Sequence, residues 1–277
     1  MIRIITDSSC DLPQELIDKY NIDILPLRVN LGENSYADRK EINPDQIFAW
    51  ADENKDTPKT SVFSIDTPID LFEKYPDDEL ICFSISTEMS SSLNVMRLAM
   101  LDVDGEDRIH LIDSRNLSAG IGLLVCAAGE MIVQGMPVKD VVDGINALIP
   151  KVRSSFVVDT LTYLHRGGRC SGAAALSGNM LKIHPKIVVK EGKMVVDKKY
   201  RGKMNSILMS YCEDLKPEFS NAQNKNVFIV YTGDCNDIAV QLKEKLDVFE
   251  NVYIIRAGSV ISSHCGPGTL GIIFMEK

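Results

Sequence analysis

Short apolar runs alternate with helix-periodic segments through the first half of the chain. Ile2 to Thr6, Leu80 to Phe83 and Arg108 to Ile112 are runs of strand length, and each stops abruptly in polar residues: Asp7-Ser8-Ser9-Cys10-Asp11, Ser84-Ile85-Ser86-Thr87, and Asp113-Ser114-Arg115-Asn116. Apolar positions at helical spacing follow: Leu16, Ile17 and Tyr20 after the first, Leu93 and Met96 after the second, Ile121, Leu124, Val125 and Ala128 after the third. Such alternation predicts a mostly parallel sheet with helices on both faces, and ligands in sheets of this kind sit at the carboxyl ends of the strands. Helix starts are signalled at Asn43-Pro44-Asp45-Gln46, at Thr67-Pro68, and at Asp11 with Gln14 as a capping box around Pro13. Ile22 to Leu31 reads as one extended segment, and Val138 to Leu148 as a further helix.

The pattern changes near Pro150. Ser155 to Val158, Ile183 to Val189, Met194 to Val196, Val227 to Tyr231, Val252 to Arg256 and Thr269 to Met275 read as strands, with Glu191-Gly192-Lys193 as a hairpin turn. Helices are predicted over Gly172 to Leu181, Gly202 to Leu215 and Asn236 to Leu246, and the last strand is expected inside a sheet. The fold class is therefore α/β with two α/β domains. Residues 1–152 form an N-terminal domain with a mostly parallel sheet flanked by helices, and residues 153–277 a C-terminal domain with a mixed sheet.

With 277 residues, 45% hydrophobic and 25% charged, the chain has ordinary globular usage and length for a sizeable core. Thirty basic against 39 acidic residues leave a net charge of -9, which argues against nucleic acid or an anionic membrane as the main partner. No apolar stretch approaches the ~18 residues of a spanning helix and no signal-like leader opens the chain, so a soluble cytoplasmic protein without an integral membrane segment is expected. Seven scattered cysteines point to reduced thiols, and neither they nor the four histidines have metal-ligand spacing, so no metal is expected.

The richest chemistry lies between Thr60 and Ser92, where Thr60-Ser61 and Ser90-Ser91-Ser92 flank an apolar run. Hydroxyls and free helix-start amides hold an anion or polar head group without supplying a nucleophile, although Ser90 also reads as a simple helix cap. Gly266-Pro267-Gly268-Thr269-Leu270-Gly271 fits GxGxxG, but only six strand-like residues follow it, so the dinucleotide reading fails and a tight turn beside Ser263 and His264 replaces it. There is no P-loop and no GxSxG elbow. A serine-dependent lipid hydrolase or acyltransferase using Ser90 or Ser91 with His264 is the alternative to a binding protein. Arg166-Gly167-Gly168-Arg169 suits an anion contact or a solvated helix end, and Lys182, Lys186, Lys198, Lys199, Arg201 and Lys203 make either a docking face for an acidic partner or a solvated surface.

Ile5-Thr6-Asp7-Ser8-Ser9-Cys10-Asp11-Leu12-Pro13, Lys59-Thr60-Ser61, Leu111-Ile112-Asp113-Ser114, Leu161 through Arg169, Lys182-Ile183-His184-Pro185 and His264-Cys265-Gly266-Pro267-Gly268 occur in this order. Together they make the chain resemble the DegV family of bacterial fatty-acid-binding proteins from end to end. The resemblance implies a buried long-chain fatty acid whose carboxylate is held by hydroxyls and presented to a separate fatty-acid kinase, with no cofactor and no catalytic residue in this chain. Thr60 and Ser90 match the family's head-group residues; Ser61, Ser91, Ser92, Ser114, His264 and Gly266 are the further expected contacts, with Arg169 and Arg166 at the mouth. Phe63 stands where the family usually has proline, and Ser91 and Leu93 where it has glycine and an aromatic, which bears on pocket width and acyl preference.

Overall fold

The computed structural model describes residues 1–171 and 183–277. The helix expected over Gly172 to Leu181, and Lys182 after it, lie outside the described residues. In the first half the elements are β1 (Ile2–Asp7), α1 (Gln14–Tyr20), β2 (Ile22–Leu25), β3 (Arg28–Leu31), β4 (Asn34–Ala37), α2 (Pro44–Asn54), β5 (Lys59–Ser61), α3 (Asp66–Glu73), β6 (Glu79–Ser84), α4 (Ser92–Asp102), β7 (Ile109–Asp113), α5 (Ala119–Val133) and α6 (Val138–Leu148). The second half holds β8 (Val152–Val157), α7 (Thr162–Gly167), β9 (Cys170–Ser171), β10 (Ile183–Lys190), β11 (Lys193–Arg201), α8 (Met204–Phe219), β12 (Ala222–Tyr231), α9 (Asn236–Lys243), β13 (Asn251–Arg256), α10 (Ser259–Cys265) and β14 (Leu270–Glu276).

The apolar runs that end in polar residues are the parallel sheet β2-β1-β6-β7. Its register sets Thr6 beside Phe83 and Ser84 beside Asp113, so the three polar strand ends are neighbours. The chain leaves β1 for β2 on one side and returns to β6 on the other, which makes the crevice between the β1 and β6 carboxyl ends the switch point of the sheet. The second sheet is mixed, in the order β13-β12-β14-β8-β10-β11-β9. Its last strand, β14, lies in the interior, antiparallel to both β12 and β8. The apolar helix α5 packs against strands of both sheets, and one core cluster runs from Ile4 and Phe83 to Phe156 and Ile273.

Two expectations need correction. Ile22 to Leu31 is not one segment, because Pro26, which lacks a backbone donor, separates β2 in the parallel sheet from β3 in a small antiparallel sheet β4-β3-β5. Nor does Asp11 cap α1: that helix starts behind Pro13 without a side-chain cap, and the Asp11 carboxylate instead accepts from Ser118 Oγ at 2.6 Å and from the Gly258 amide at 2.8 Å. The Asn43–Gln46 capping box of α2 is present in both directions, at 3.1 and 3.0 Å.

Candidate functional site

A cavity of about 280 Å³ lies at the switch point, where the loop after β6, the short strand β5 and the helix α10 converge. Thr60, Ser61, Ser90, Ser91, Arg169 and His264 supply its polar lining; Leu27, Val62, Ile85, Met89, Leu117, Met194, Val260, Ile261 and Cys265 supply the rest. Ser61, Ser91 and Arg169 are solvent-exposed, whereas Ile85, Met89, Leu117, Met194, Ile261 and Cys265 are buried. The cavity thus has a polar rim and an apolar floor, the arrangement that suits an amphiphile with an anionic or polar head.

Thr60 owes its place to β5, whose three residues pair with β3 so that Thr60 lies opposite Val29. His264 comes from the last turn of α10, which packs on α2, α7, β3 and β5. The two side chains meet at 2.7 Å between Thr60 Oγ1 and His264 Nε2. Burial, and secondarily the Arg169 guanidinium, press the imidazole down to about 4, so His264 is neutral at physiological pH. A neutral ring carries one N–H, and its Nδ1 has no hydrogen-bond partner among the described residues. The proton is therefore assigned to Nε2, which donates to Thr60 Oγ1 and leaves the threonine proton for an acceptor in the cavity. Gly167 allows this ring position, since a Cβ there would fall 2.4 Å from Nδ1.

Ser90 does two things. Its Oγ lines the cavity, and it also lies 3.0 Å from Ser92 Oγ and accepts weakly from the Ser92 amide at 3.3 Å at the start of α4. Four expected site residues stand outside the lining. Ser92 is buried behind Ser90. Ser114 is buried in its own turn, donating to the Asn116 carbonyl and accepting from the Asn116 amide. Gly266, at φ 73°, faces the Tyr163 ring, which a Cβ would meet at 2.6 Å, and its carbonyl accepts from Thr232. The exposed Arg166 lies 3.9 Å from Asp56. The GxGxxG stretch is a turn between α10 and β14, a helix-to-strand order opposite to that of a dinucleotide site.

The polar strand ends do not form a donor array either. Asp7, its carboxyl pushed up to about 6 by burial, accepts from the amides of Ser9 at 3.1 Å and Ile85 at 2.8 Å, and thereby holds the cavity wall from behind. Asp113 orders the next turn through Thr87 and Arg115. Two of the basic residues singled out in the second half are internally paired, Lys186 with Asp197 at 3.3 Å and Lys198 with Asp214 at 2.6 Å. Sequence patterning missed the apolar floor, whose residues come from six separate segments; only Met89 and Leu117, directly after polar strand ends, carried a local signal.

A serine nucleophile needs a base hydrogen-bonded to it and a group orienting that base. Here His264 Nε2 is bonded to Thr60, and Ser90 Oγ to Ser92. The arrangement therefore favours holding a ligand over attacking one.

The sequence profile of the DegV family, described as an uncharacterised protein family, matches residues 1–277. A DegV domain-containing protein of Clostridium acetobutylicum is 33% identical over 279 residues, covering 100% of this chain and 99% of the relative. Among solved structures, a DegV family protein of Thermus thermophilus described as fatty-acid-binding superposes with a TM-score of 0.91 at 28% identity, over 100% of this chain and 99% of the other. A stearic-acid-binding protein of Eubacterium ventriosum gives a TM-score of 0.87 at 27% identity, over 100% and 99%. With its whole length matched in sequence and in fold, the chain belongs to the DegV family.

Proposed function

We propose that this protein binds one long-chain fatty acid with its carboxylate at Thr60, Ser90 and Arg169 and its acyl chain over the apolar floor, and presents the acid to a separate kinase. The observation that carries the reading is the Thr60–His264 pair, a hydroxyl held 2.7 Å from a neutral imidazole at the polar rim of an otherwise apolar cavity. Fatty-acid binding by the Thermus thermophilus and Eubacterium ventriosum proteins supports it. Burying a sixteen-carbon chain is favourable by roughly 0.8 kcal/mol per methylene, about 12 kcal/mol gross. Affinity therefore resides mainly in the tail, and the head-group donors fix orientation. Presentation to a kinase is supported by the exposure of Ser61, Ser91 and Arg169 at the polar end, where a bound carboxylate stays reachable. Ser90 is bonded to Ser92 and His264 to Thr60, so among the described residues this pair is not arranged as nucleophile and base, which weighs against the hydrolase alternative.

Solvent extraction of the purified protein followed by mass spectrometry is expected to release a fatty acid at about one per chain, the occupancy that the amphipathic cavity at Thr60 would give. Thr60→Ala combined with Ser90→Ala is expected to leave the fold intact while weakening the acid about ten- to a hundredfold, the contribution of one or two hydrogen bonds to a charged group. Unchanged lipid occupancy together with unchanged kinase-dependent acyl-phosphate formation in the double variant would sink the proposal.

A further inference from the structure

Beyond the first cavity lies a second, of about 30 Å³, with Phe156, Val230 and Ile273 in its wall. The two have Leu117, Ile261 and Cys265 in common, so these three side chains stand at the boundary between them. The Asp11 side chain ties both sides of that boundary. Leu117 precedes Ser118, whose Oγ donates to Asp11 Oδ2 at 2.6 Å, while Ile261 and Cys265 belong to α10, whose N-cap Gly258 donates its amide to Asp11 Oδ1 at 2.8 Å. Asp38 also receives an amide of α10, from Ser259 at 3.0 Å, but its other oxygen goes to Ser8 and not to the Leu117 segment.

The Leu117 side needs such a restraint. Ser118 has φ 53° and ψ -141°, a conformation that non-glycine residues adopt only when their surroundings hold them there. Asp11, 3% exposed and itself at φ 47°, is its side-chain partner from 107 residues away.

We infer that Asp11 is a positioning residue that sets the boundary between the two cavities and so determines how well long acyl chains fit. This rests on the fatty-acid reading of the first cavity. A short acid ends within the first cavity and is indifferent to that boundary; a long one must thread Leu117, Ile261 and Cys265 to place its terminal carbons.

The test is titration of delipidated protein with decanoate and with octadecanoate, in the unmutated chain and in Asp11→Ala, Asp11→Asn and Ser118→Ala. Asp11→Ala is expected to weaken octadecanoate about tenfold and decanoate by less than about twofold. Asp11→Asn keeps an acceptor for Gly258 and offers an amide to Ser118 Oγ, so it is expected to retain the unmutated profile. Should Asp11→Ala fail to fold, Ser118→Ala, which frees only the Leu117 side, must still weaken octadecanoate selectively. Equal weakening of both acids, or an unaltered profile in the folded variants, overturns the inference. Failure of the unmutated protein to bind either acid would overturn the fatty-acid reading itself, and is seen before any variant is made.

Discussion

Gly167 ends α7 at a position where a side chain would strike the imidazole that backs Thr60. Its backbone does not require glycine, since φ there is not positive, unlike that of the following Gly168 at 67°. The constraint is therefore the close approach to His264. Alanine in a helix is favoured over glycine by roughly 0.5–1 kcal/mol, which offsets part of the local crowding. Gly167→Ala is accordingly expected to shift the melting temperature by only a few degrees while displacing His264 from Thr60 and weakening the fatty acid by about tenfold. Calorimetric titration beside a melting curve checks it; unchanged affinity would mean that His264 does not orient the threonine.

At the scale of elements, a buried hydroxyl of α8 reaches into the mixed sheet and ties two of its strands. Tyr211 Oη donates to the Ser155 carbonyl at 2.7 Å and accepts from the Ile272 amide at 3.0 Å, so it bridges two residues that are register partners in β8 and β14. Its remaining contact, to Ser155 Oγ at 2.8 Å, completes a fully buried network. Tyr211→Phe keeps the packing and strands the carbonyl and the amide, so denaturant unfolding should show a loss of about 1–3 kcal/mol with an unchanged slope. A loss near zero would mean that β8 and β14 close directly on each other. This bridge was not legible in the sequence, where Tyr211 is merely one apolar position of a helix. Elements with a long period or a definite punctuation were legible: α6 over Val138 to Leu148, α2 with its capping box, and β14 as an apolar run of interior-strand type. The small sheet was not, because strands of three or four residues are too short to show a period of two. The site shared that fate in part. Its hydroxyls stand out as a cluster, but Thr60 and His264 meet across 204 positions, and only the family resemblance joined them beforehand.

Across the whole molecule, residues of the first half hold the start of α10 from the second through buried carboxylates, and this has a consequence for stability against pH. Burial pushes Asp7 up to about 6 and Asp11 up to about 7, from an ordinary value of 3.8. The folded protein therefore binds these protons more tightly than the unfolded chain does, and acidification through pH 7 and 6 stabilises it. His264 acts in the opposite sense: the unfolded chain takes up its proton near 6.5 and the folded one only near 4, so acid costs stability over that window. Burial raises Asp38 in the same sense, so the raised carboxylates outweigh one depressed imidazole, and the net gain between pH 8 and pH 5.5 is at least on the order of 1 kcal/mol. The melting temperature of ligand-free protein should accordingly rise by a few degrees over that interval. Asp11→Asn, which removes the contribution of the carboxylate raised to about 7, should shrink this rise, leaving Asp7 and Asp38 to work against His264. A melting temperature that falls from pH 8 to pH 5.5 in the unmutated protein would show that the amides and hydroxyls facing Asp7 and Asp11 keep both ionised, with hydrogen bonding to the charged form prevailing over burial.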